Sequence, residues 1–241
     1  MNCILIDRND ISGATIMLGP RESKHIAQVL KKSPGESILA GIVDGPIGMT
    51  KIVSMHQGVV EVELPEGPTP PHPPLDIVLA MPRPKVMKRL WAPMASLGVR
   101  QITIIGAERV ESFYFESHAT YPAIYIPRLR EGLEQARDTR MPEVKMLESF
   151  SWFASHHLPK IPADHVKLIA DPNAGESVRD VMNKHEKPGN VTLAIGPEGG
   201  WAQKEIDAFH QNGFLPVGMG RRTLRTDTAV AALMALVYSA L

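Results

Sequence analysis

Short segments of alternating apolar and polar residues occupy the first 68 residues of this chain. Turns with glycine or proline separate them, and the clearest are ATIML (14–18), ESILAGIV (36–43), MTKIVSM (49–55) and VVEVEL (59–64). Such alternation predicts half-buried strands, and several of them in series are typical of a small β-barrel. One segment, RESKHIAQVLKK (21–32), has helical periodicity, and we expect Pro34-Gly35 to close that helix. Residues 1–68 are therefore predicted to form an all-β domain with one helix.

After residue 74 the hydrophobic period changes, and strands alternate with helices. The predicted strands are LDIVLAMP (75–82), QITIIGA (101–107), VKLIADP (166–172), VTLAIG (191–196) and FLPVGMG (214–220). The predicted helices are KVMKRLWAPMASLG (85–98), IPRLREGLEQARD (126–138), ESVRDVMNKHE (176–186), AQKEIDAFHQNG (202–213) and TAVAALMALVYSAL (228–241). This order predicts an α/β fold with a mainly parallel sheet that helices cover on both faces.

A proline-rich stretch separates the two regions. Six of the ten residues in PEGPTPPHPP (65–74) are proline, which favours an extended conformation and is typical of a semi-rigid linker. The predicted domains are thus residues 1–68 and 75–241, joined by a linker at 69–74.

Composition narrows the class of protein further. Of the 241 residues 44% are apolar and 22% are charged, as in an ordinary globular protein. The single cysteine, Cys3, excludes a disulfide framework and fits a reducing compartment, so we expect a cytoplasmic location. The first residues do not resemble a signal peptide, and the most apolar stretch (228–241) is too short to span a bilayer, so no membrane partner is expected. Because the formal net charge is zero, contact with nucleic acid has to come from local patches.

Two glycine-containing loops are the strongest candidates for chemistry. AIGPEGGWAQKEI (194–206) runs from a strand into a helix, but it lacks the Lys-Ser/Thr of a P-loop and the G-x-G-x-x-G of a Rossmann fold. GMGRRTLRTDTA (218–229) follows the next strand. Each loop alone is more often a tight turn than a site. At the carboxyl ends of adjacent strands, however, both loops would border one crevice, where α/β sheets bind ligands.

The two loops together resemble the paired signature of the RsmE family, which methylates N3 of a uridine in 16S ribosomal RNA and belongs to the SPOUT superfamily. LGVRQITIIGAERV (97–110) and EQARDTRMPEV (134–144) resemble intermediate segments of that family, so the similarity covers essentially the whole chain. The resemblance implies an α/β SPOUT domain with a trefoil knot, an N-terminal PUA-like β-barrel, a homodimer, and a uridine target near the decoding site. In the second loop Asp227 stands where glutamate is usual, which leaves the target nucleotide open.

The resemblance also implies that S-adenosyl-L-methionine binds in the two loops. Glycines would let main-chain groups approach the adenine and ribose, because no Cβ stands in the way. Met219 and Leu224 would form apolar walls, although simple packing is an alternative for both. The implied cofactor-binding residues are Ile195, Gly196, Pro197, Gly199, Gly200, Met219, Gly220, Leu224, Arg225 and Thr226.

Two residues of these loops are candidates for catalysis. The proton on uridine N3 has to leave, so the reaction needs a base or a cation that stabilises the uracil anion. Arg225 is the candidate cation; the alternative is an ion pair with Asp227 or Glu198. Glu198 is the candidate base or orienting group; the alternative is a helix cap or salt bridge. No metal site is expected, because His156-His157 has no third ligand at suitable spacing.

RNA contacts are expected from basic patches. Residues 77–107 contain no acidic residue, and on the predicted helix 85–98 the basic side chains cluster opposite Met87, Leu90, Trp91 and Met94. Such a ridge suits phosphate contacts, although most charged helix faces are simply solvated. The predicted RNA-binding residues of this region are Arg83, Lys85, Lys88 and Arg89. A weaker patch in the first domain consists of Arg8, Arg21, Lys24 and His25.

The last helix provides a separate argument for a homodimer. Its apolar stripe consists of Val230, Leu233, Met234, Val237 and Leu241, with further apolar residues outside the stripe. A helix that is apolar nearly all round is buried by a partner or by the core of its own chain.

Two other functions stay open: methylation of another rRNA or tRNA position, and a non-catalytic role in RNA binding or ribosome assembly.

Overall fold

The computed structural model describes residues 2–11, 13–185 and 189–241, and the chain divides into two compact units. Unit 1 consists of Met1–His72 and Arg130–Met141, and unit 2 consists of Pro73–Leu129 and Pro142–Leu241. Unit 1 is therefore discontinuous in sequence, a grouping that the hydrophobic pattern does not reveal.

The sheet of unit 1 is a curled half-barrel of five strands. The strands are β1 (Ile4–Ile6), β2 (Thr15–Met17), β3 (Ser37–Ile42), β4 (Ile47–His56) and β5 (Val59–Glu63), in the order β1-β3-β4-β5-β2. β1 pairs with β3 in parallel, and the other neighbours are antiparallel. The register of β4 against β5 shifts between Ile52 and Ser54, and such an irregularity bends a strand. The strands predicted in the first 68 residues and the helix among them are thus present, and residues 130–136 add a second helical segment to this unit.

The helix of unit 1 ends earlier than the sequence predicts. It begins as α1 (Pro20–Lys24) and continues as a π-helix over His25–Leu30. Lys31 then adopts a left-handed backbone, with φ of 52°. A left-handed residue is a common way to end a helix, so the expectation that Pro34-Gly35 closes this helix is wrong.

Unit 2 contains a six-stranded, fully parallel sheet. Its strands are β6 (Leu75–Ala80), β7 (Gln101–Ile105), β8 (Glu143–Leu147), β9 (Val166–Ala170), β10 (Val191–Ile195) and β11 (Leu215–Val217), in the order β11-β9-β10-β6-β7-β8. The helices that begin in this part of the chain are α2 (Pro84–Leu97), α3 (Pro122–Ala136), α4 (Phe150–His156), α5 (Val178–Met182), α6 (Gln203–Gln211) and α7 (Thr226–Tyr238). The last part of α3, from Arg130, belongs to unit 1.

Every residue of the central strand β6 is buried. Successive side chains of a strand point to opposite faces, so both faces of the sheet are covered. Val78 and Ala80 face a cluster that includes Phe153 of α4 and Phe209 of α6, while α7 packs against α2 and α5. The predicted parallel sheet with helices on both faces is confirmed, and the trefoil knot stays a prediction of the family resemblance.

The structure adds a strand and an α-helix to the predicted series and shortens several predicted elements. β8 and α4 follow α3, where the sequence pattern predicts no element. The helix expected at 176–186 is confined to Val178–Met182, and Glu186 lies outside the described residues. No described helix has the length and apolar character needed to cross a membrane.

Candidate functional site

A pocket of about 340 Å³ lies at the carboxyl edge of the sheet in unit 2. The loops that follow β9, β10 and β11 form it, and Arg109 reaches it from the loop after β7. Nine of the ten predicted cofactor residues line this pocket: Ile195, Gly196, Pro197, Gly199, Gly200, Met219, Gly220, Leu224 and Thr226. The tenth, Arg225, is not among the lining residues.

The first glycine loop is a tight turn that only small residues permit. The Gly200 N–H donates to the Pro197 carbonyl over 2.8 Å, and Gly200 has a φ of 73°. A Cβ on Gly196 would lie 3.2 Å from Nε1 of Trp201, so the indole ring occupies the space that a side chain would need. The tight turn is therefore present, and the approach of a ligand to these glycines stays a prediction.

Two charged side chains hold this loop in place. Glu205 is fully buried; its Oε2 accepts the Ala202 N–H and its Oε1 accepts the Glu108 N–H, each over 2.8 Å. Nη1 of Arg109 donates to the Gly199 carbonyl over 2.5 Å. Glu205 could have been found from its place three residues after Ala202, which is the spacing of a capping box. Arg109 carries no comparable local signal.

The second glycine loop contacts the loop after β9. The sequence analysis did not predict that this loop after β9 is part of the site. The Gly218 N–H donates to the Glu176 carbonyl over 2.8 Å, and a Cβ on Gly218 would lie 2.9 Å from the Ala174 carbonyl oxygen. Gly220 has a φ of 91°. In the loop after β9, Oδ1 of Asp171 accepts the Asn173 N–H over 2.8 Å. This loop forms a third side of the pocket through Asp171, Pro172 and Asn173.

Glu198 lines the pocket and contacts the start of α2. Its Oε1 accepts the backbone N–H of Arg83 over 3.2 Å, and Arg83 is the N-cap residue of that helix. The partial positive charge at a helix N-terminus favours a carboxylate there. The helix-cap alternative for Glu198 therefore describes its contact in this structure, at α2.

Arg225 lies just outside the pocket, at the N-cap of α7. Oδ2 of Asp227 accepts hydrogen bonds from Arg225 over 3.2 Å and from Arg89 of α2 over 2.8 Å. The Arg225 side chain is 72% exposed. One carboxylate thus brings a predicted catalytic arginine and a predicted RNA-binding arginine together. The alternative of an Arg225–Asp227 ion pair is present in the structure.

The other basic residues fall into two groups. On α2, Lys85 and Lys88 are exposed, while Met87, Leu90, Trp91 and Met94 are buried as the amphipathic pattern predicts. In unit 1, Arg8 donates to the carbonyls of Val43 and Asp44, and Arg21 pairs with Glu134 over 2.5 Å. Lys24 is exposed and His25 is half-buried. Arg8 and Arg21 therefore have structural partners inside unit 1.

Other reactive groups lie outside the pocket. Burial raises the pKa of the Cys3 thiol to about 12, which disfavours the thiolate that a nucleophile would need. Among the described residues no group of three or more His, Cys, Asp or Glu side chains is arranged to hold a metal ion.

Comparison with known proteins gives a consistent result. The model of the RNA methyltransferase domain family matches residues 69–238. The chain is 34% identical to the ribosomal RNA small subunit methyltransferase E of Treponema pallidum over 99% of this chain and 91% of that protein. It is 25% identical to ribosomal RNA small subunit methyltransferase E 1 of Borreliella burgdorferi over 100% and 99% of the two chains.

Two solved structures match nearly the whole chain. Ribosomal RNA small subunit methyltransferase E of Neisseria gonorrhoeae, bound to S-adenosyl methionine, superposes with a TM-score of 0.77 at 25% identity, covering 99% of this chain and 97% of that one. A putative methyltransferase of Legionella pneumophila, also bound to that cofactor, superposes with a TM-score of 0.74 at 26% identity and the same coverage. The chain belongs to the RsmE family of ribosomal RNA small subunit methyltransferases.

Proposed function

We propose that this rRNA methyltransferase, which uses S-adenosylmethionine, places a methyl group on N3 of a uridine in 16S rRNA. The uridine lies in the decoding region of the small subunit. The observation that carries the proposal is that both family loops line one pocket. Asp227, in the first turn of the helix after the second loop, accepts hydrogen bonds from Arg225 and from Arg89 of α2. The substrate is 16S rRNA or the small ribosomal subunit, and a cytoplasmic location fits that substrate.

The residues of the pocket suit S-adenosylmethionine. Its volume of about 340 Å³ lies in the range of small-ligand sites. Apolar side chains such as Ile195, Met219 and Leu224 line it beside glycines whose main-chain groups a ligand can approach. Adenine and ribose can therefore be recognised without a charged side chain.

The chemistry assigns different roles to the two candidate catalytic residues. When bound, S-adenosylmethionine supplies a methyl group on a positively charged sulfur. Uridine N3 becomes a nucleophile as its proton passes to water, and negative charge then spreads over the uracil ring. A guanidinium next to the ring stabilises that charge, which is the role proposed for Arg225. Glu198 already accepts the Arg83 N–H, so we assign it the orienting role: it ties the first glycine loop to α2.

RNA contacts are proposed on the exposed face of α2, through Arg83, Lys85, Lys88 and Arg89. Arg89 already lies beside Arg225 through their shared partner Asp227. A strand whose phosphates follow this helix would bring a base to the rim of the pocket. In unit 1, Lys24 and His25 are the proposed RNA contacts. Arg8 and Arg21 are weaker candidates, because their side chains already bind partners within that unit.

A homodimer is also part of the proposal. Four residues of the apolar stripe on α7 are buried in their own chain, namely Val230, Leu233, Met234 and Val237. The core-helix alternative therefore accounts for most of that stripe. Exposed apolar surface on and after this helix comes from Leu236 at 37% and Leu241 at 44%, and these residues now support the dimer.

Nucleoside mass spectrometry tests the target. The purified protein is incubated with isotope-labelled S-adenosylmethionine and, separately, with naked 16S rRNA and small subunits from a strain that lacks the gene. Digestion to nucleosides should yield labelled 3-methyluridine, and fragment mapping should place it in the decoding region. A label on another nucleoside, or in tRNA, would transfer the proposal to another target. No labelled nucleoside from any RNA would instead favour the non-catalytic assembly role.

A further inference from the structure

Arg109 is a cation of the pocket wall to which the proposed chemistry gives no role. Its Nη1 donates to the Gly199 carbonyl over 2.5 Å. Its aliphatic part packs over the same glycine, since a Cβ on Gly199 would lie 3.2 Å from Cδ and 3.4 Å from Cβ of Arg109. The hydrogen bond and the packing together fix the side chain over the first glycine loop. A guanidinium held in this way loses less conformational entropy when it binds a ligand.

The other charged side chains of the pocket differ from Arg109. Oδ1 of Asp171 accepts the Asn173 N–H, and Glu198 accepts the Arg83 N–H. Arg222 makes no hydrogen bond or ion pair with any residue that the structure describes, so nothing positions it. Arg109 is positioned, and within the described chain its hydrogen bond to Gly199 engages only one of the five N–H groups of a guanidinium. Arg109 is therefore a positioned cation of this pocket with N–H groups left for a ligand.

The cofactor of the proposed function carries one anionic group, the carboxylate of its amino-acid end. A carboxylate that enters a pocket with apolar walls needs a cationic partner to offset the loss of hydration. The planar fork of an arginine matches a carboxylate with two parallel hydrogen bonds. We propose that Arg109 binds the α-carboxylate of the cofactor and so fixes its methionine end; this inference rests on the proposed function.

Two ligands that differ in the amino-acid end test the proposal. S-Adenosylhomocysteine has the carboxylate, whereas 5′-methylthioadenosine has the same adenosine and sulfur without the amino-acid end. Each is titrated by calorimetry into the full chain and into Arg109→Ala. We expect Arg109→Ala to bind S-adenosylhomocysteine ~10- to 100-fold more weakly, the effect of losing a charged hydrogen-bonded pair. Its affinity for 5′-methylthioadenosine should stay within a few-fold of wild type.

Two further variants make the result specific. Arg109→Lys keeps a charge and a donor for the Gly199 carbonyl but loses the fork, so its affinity for S-adenosylhomocysteine should lie between wild type and Arg109→Ala. Arg222→Ala removes the unpositioned arginine of the same pocket and should leave both affinities unchanged.

Three outcomes would argue against specific parts of this picture. Equal losses for both ligands in Arg109→Ala would overturn the proposal, because Arg109 would then only support the loop. Unchanged affinity for S-adenosylhomocysteine with weaker RNA binding would also overturn it, in favour of a contact with an RNA phosphate. If the wild-type chain binds neither ligand, the proposed function fails, and it fails independently of Arg109.

Discussion

Asp227 joins two arginines whose proposed roles differ, and this contact determines what each substitution should reveal. Its Oδ2 accepts hydrogen bonds from Arg89 of α2 and Arg225 at the start of α7. Arg225 does not line the pocket, so its loss should leave the cofactor contacts intact. Its guanidinium is 72% exposed and, beside its ion pair with Asp227, presents further N–H groups to the solvent. We therefore keep Arg225 as the proposed contact with the RNA substrate.

Arg225→Ala should therefore separate binding from chemistry. We expect affinity for S-adenosylhomocysteine within a few-fold of wild type and a single-turnover methylation rate lower by ~10²-fold, the scale for one electrostatic stabiliser of the transition state. Arg225→Lys keeps the charge without the planar fork and should have an intermediate rate. Calorimetry and rapid-quench methylation at saturating RNA measure the two quantities. A wild-type rate would remove Arg225 from the mechanism, and lost cofactor binding would make it a residue of the cofactor loop.

At the scale of single elements, the first glycine loop depends on Glu205 of α6. This fully buried carboxylate accepts one N–H from its own helix start and another from the loop after β7. Glutamine has the same shape, but its amide NH₂ cannot accept a hydrogen bond. Glu205→Gln would therefore leave the buried N–H of Ala202 or the partly buried N–H of Glu108 facing another donor.

We expect Glu205→Gln to lower the free energy of unfolding by about 2 kcal/mol or more, because a charged hydrogen bond is lost and a buried donor is left unpaired. Urea unfolding followed by circular dichroism measures this loss. Glu108→Gln is the matched control, since it removes only the exposed ion pair with Lys204 and should change stability little. Equal stability of Glu205→Gln and wild type would show that the loop does not depend on this carboxylate.

In the proposed function, RNA binding depends on the exposed basic face of α2. Lys88 is exposed and lies opposite the buried face of that helix. Lys88→Ala should weaken RNA binding and reduce the slope of log K against log salt by about 0.7 to 0.9, the range for one lost phosphate contact. The single-turnover rate at saturating RNA should not change. Lys184→Ala, on an exposed lysine that pairs with Glu176, is the control; an equal effect there would contradict a specific role for α2.

The strands and helices that the sequence predicts are those with a strong apolar period. The central strands β6 and β10 are continuously buried, and their apolar runs are plain in the sequence. β8 lies at the edge of the sheet, and its sequence EVKML is mostly half-buried, so its pattern is too weak to separate from a loop. At the pocket, the two glycine loops could be predicted from their motifs. Arg109 and Asp171 could not, since only the folded chain brings their loops to the same edge.

At the scale of the whole molecule, unit 1 takes part of its core from a distant segment. Glu134 is buried there and pairs with Arg21, and the Thr139 hydroxyl donates to the Gly45 carbonyl over 2.7 Å. Burial raises the pKa of the Glu134 carboxyl, while Arg21 and Arg130 lower it. A period of hydrophobic residues reports on local structure, so it cannot show that residues 130–141 complete the first unit.

The proposed dimer is tested on the full chain. Light scattering at micromolar concentration should give twice the 26.4 kDa of one chain. Because Leu236 is an exposed apolar residue of α7, Leu236→Asp should shift the mass toward that of a monomer, since an interface would bury the new charge. Leu215→Asp, at a comparably exposed leucine of β11, is the control. A monomeric wild type that binds the cofactor fully would contradict the dimer.

A polar cluster at the amino ends of the strands in unit 2 makes stability depend on pH. Both carboxylate oxygens of Asp76 accept hydrogen bonds from Arg100, over 2.9 and 2.6 Å. Nε2 of His165 lies 3.2 Å from Nη2 of Arg100, and Nδ1 lies 2.8 Å from the Thr192 hydroxyl. A guanidinium only donates, so Nε2 must accept, and the ring is neutral with its proton on Nδ1.

The pH dependence of unfolding follows from this protonation state. Burial is the largest effect and lowers the pKa of His165; the Arg100 charge adds to it, and together they outweigh the opposing charge of Asp76. At a pH below the ordinary histidine pKa of about 6.5, the unfolded chain therefore binds more protons than the folded one, and stability falls as pH falls. Urea unfolding at pH 7.5, 6.5 and 5.5 should show this loss. His165→Gln, which cannot take up a proton, should be less stable than wild type at pH 7.5, with a difference that shrinks toward pH 5.5; a constant difference would show that His165 does not cause the pH dependence.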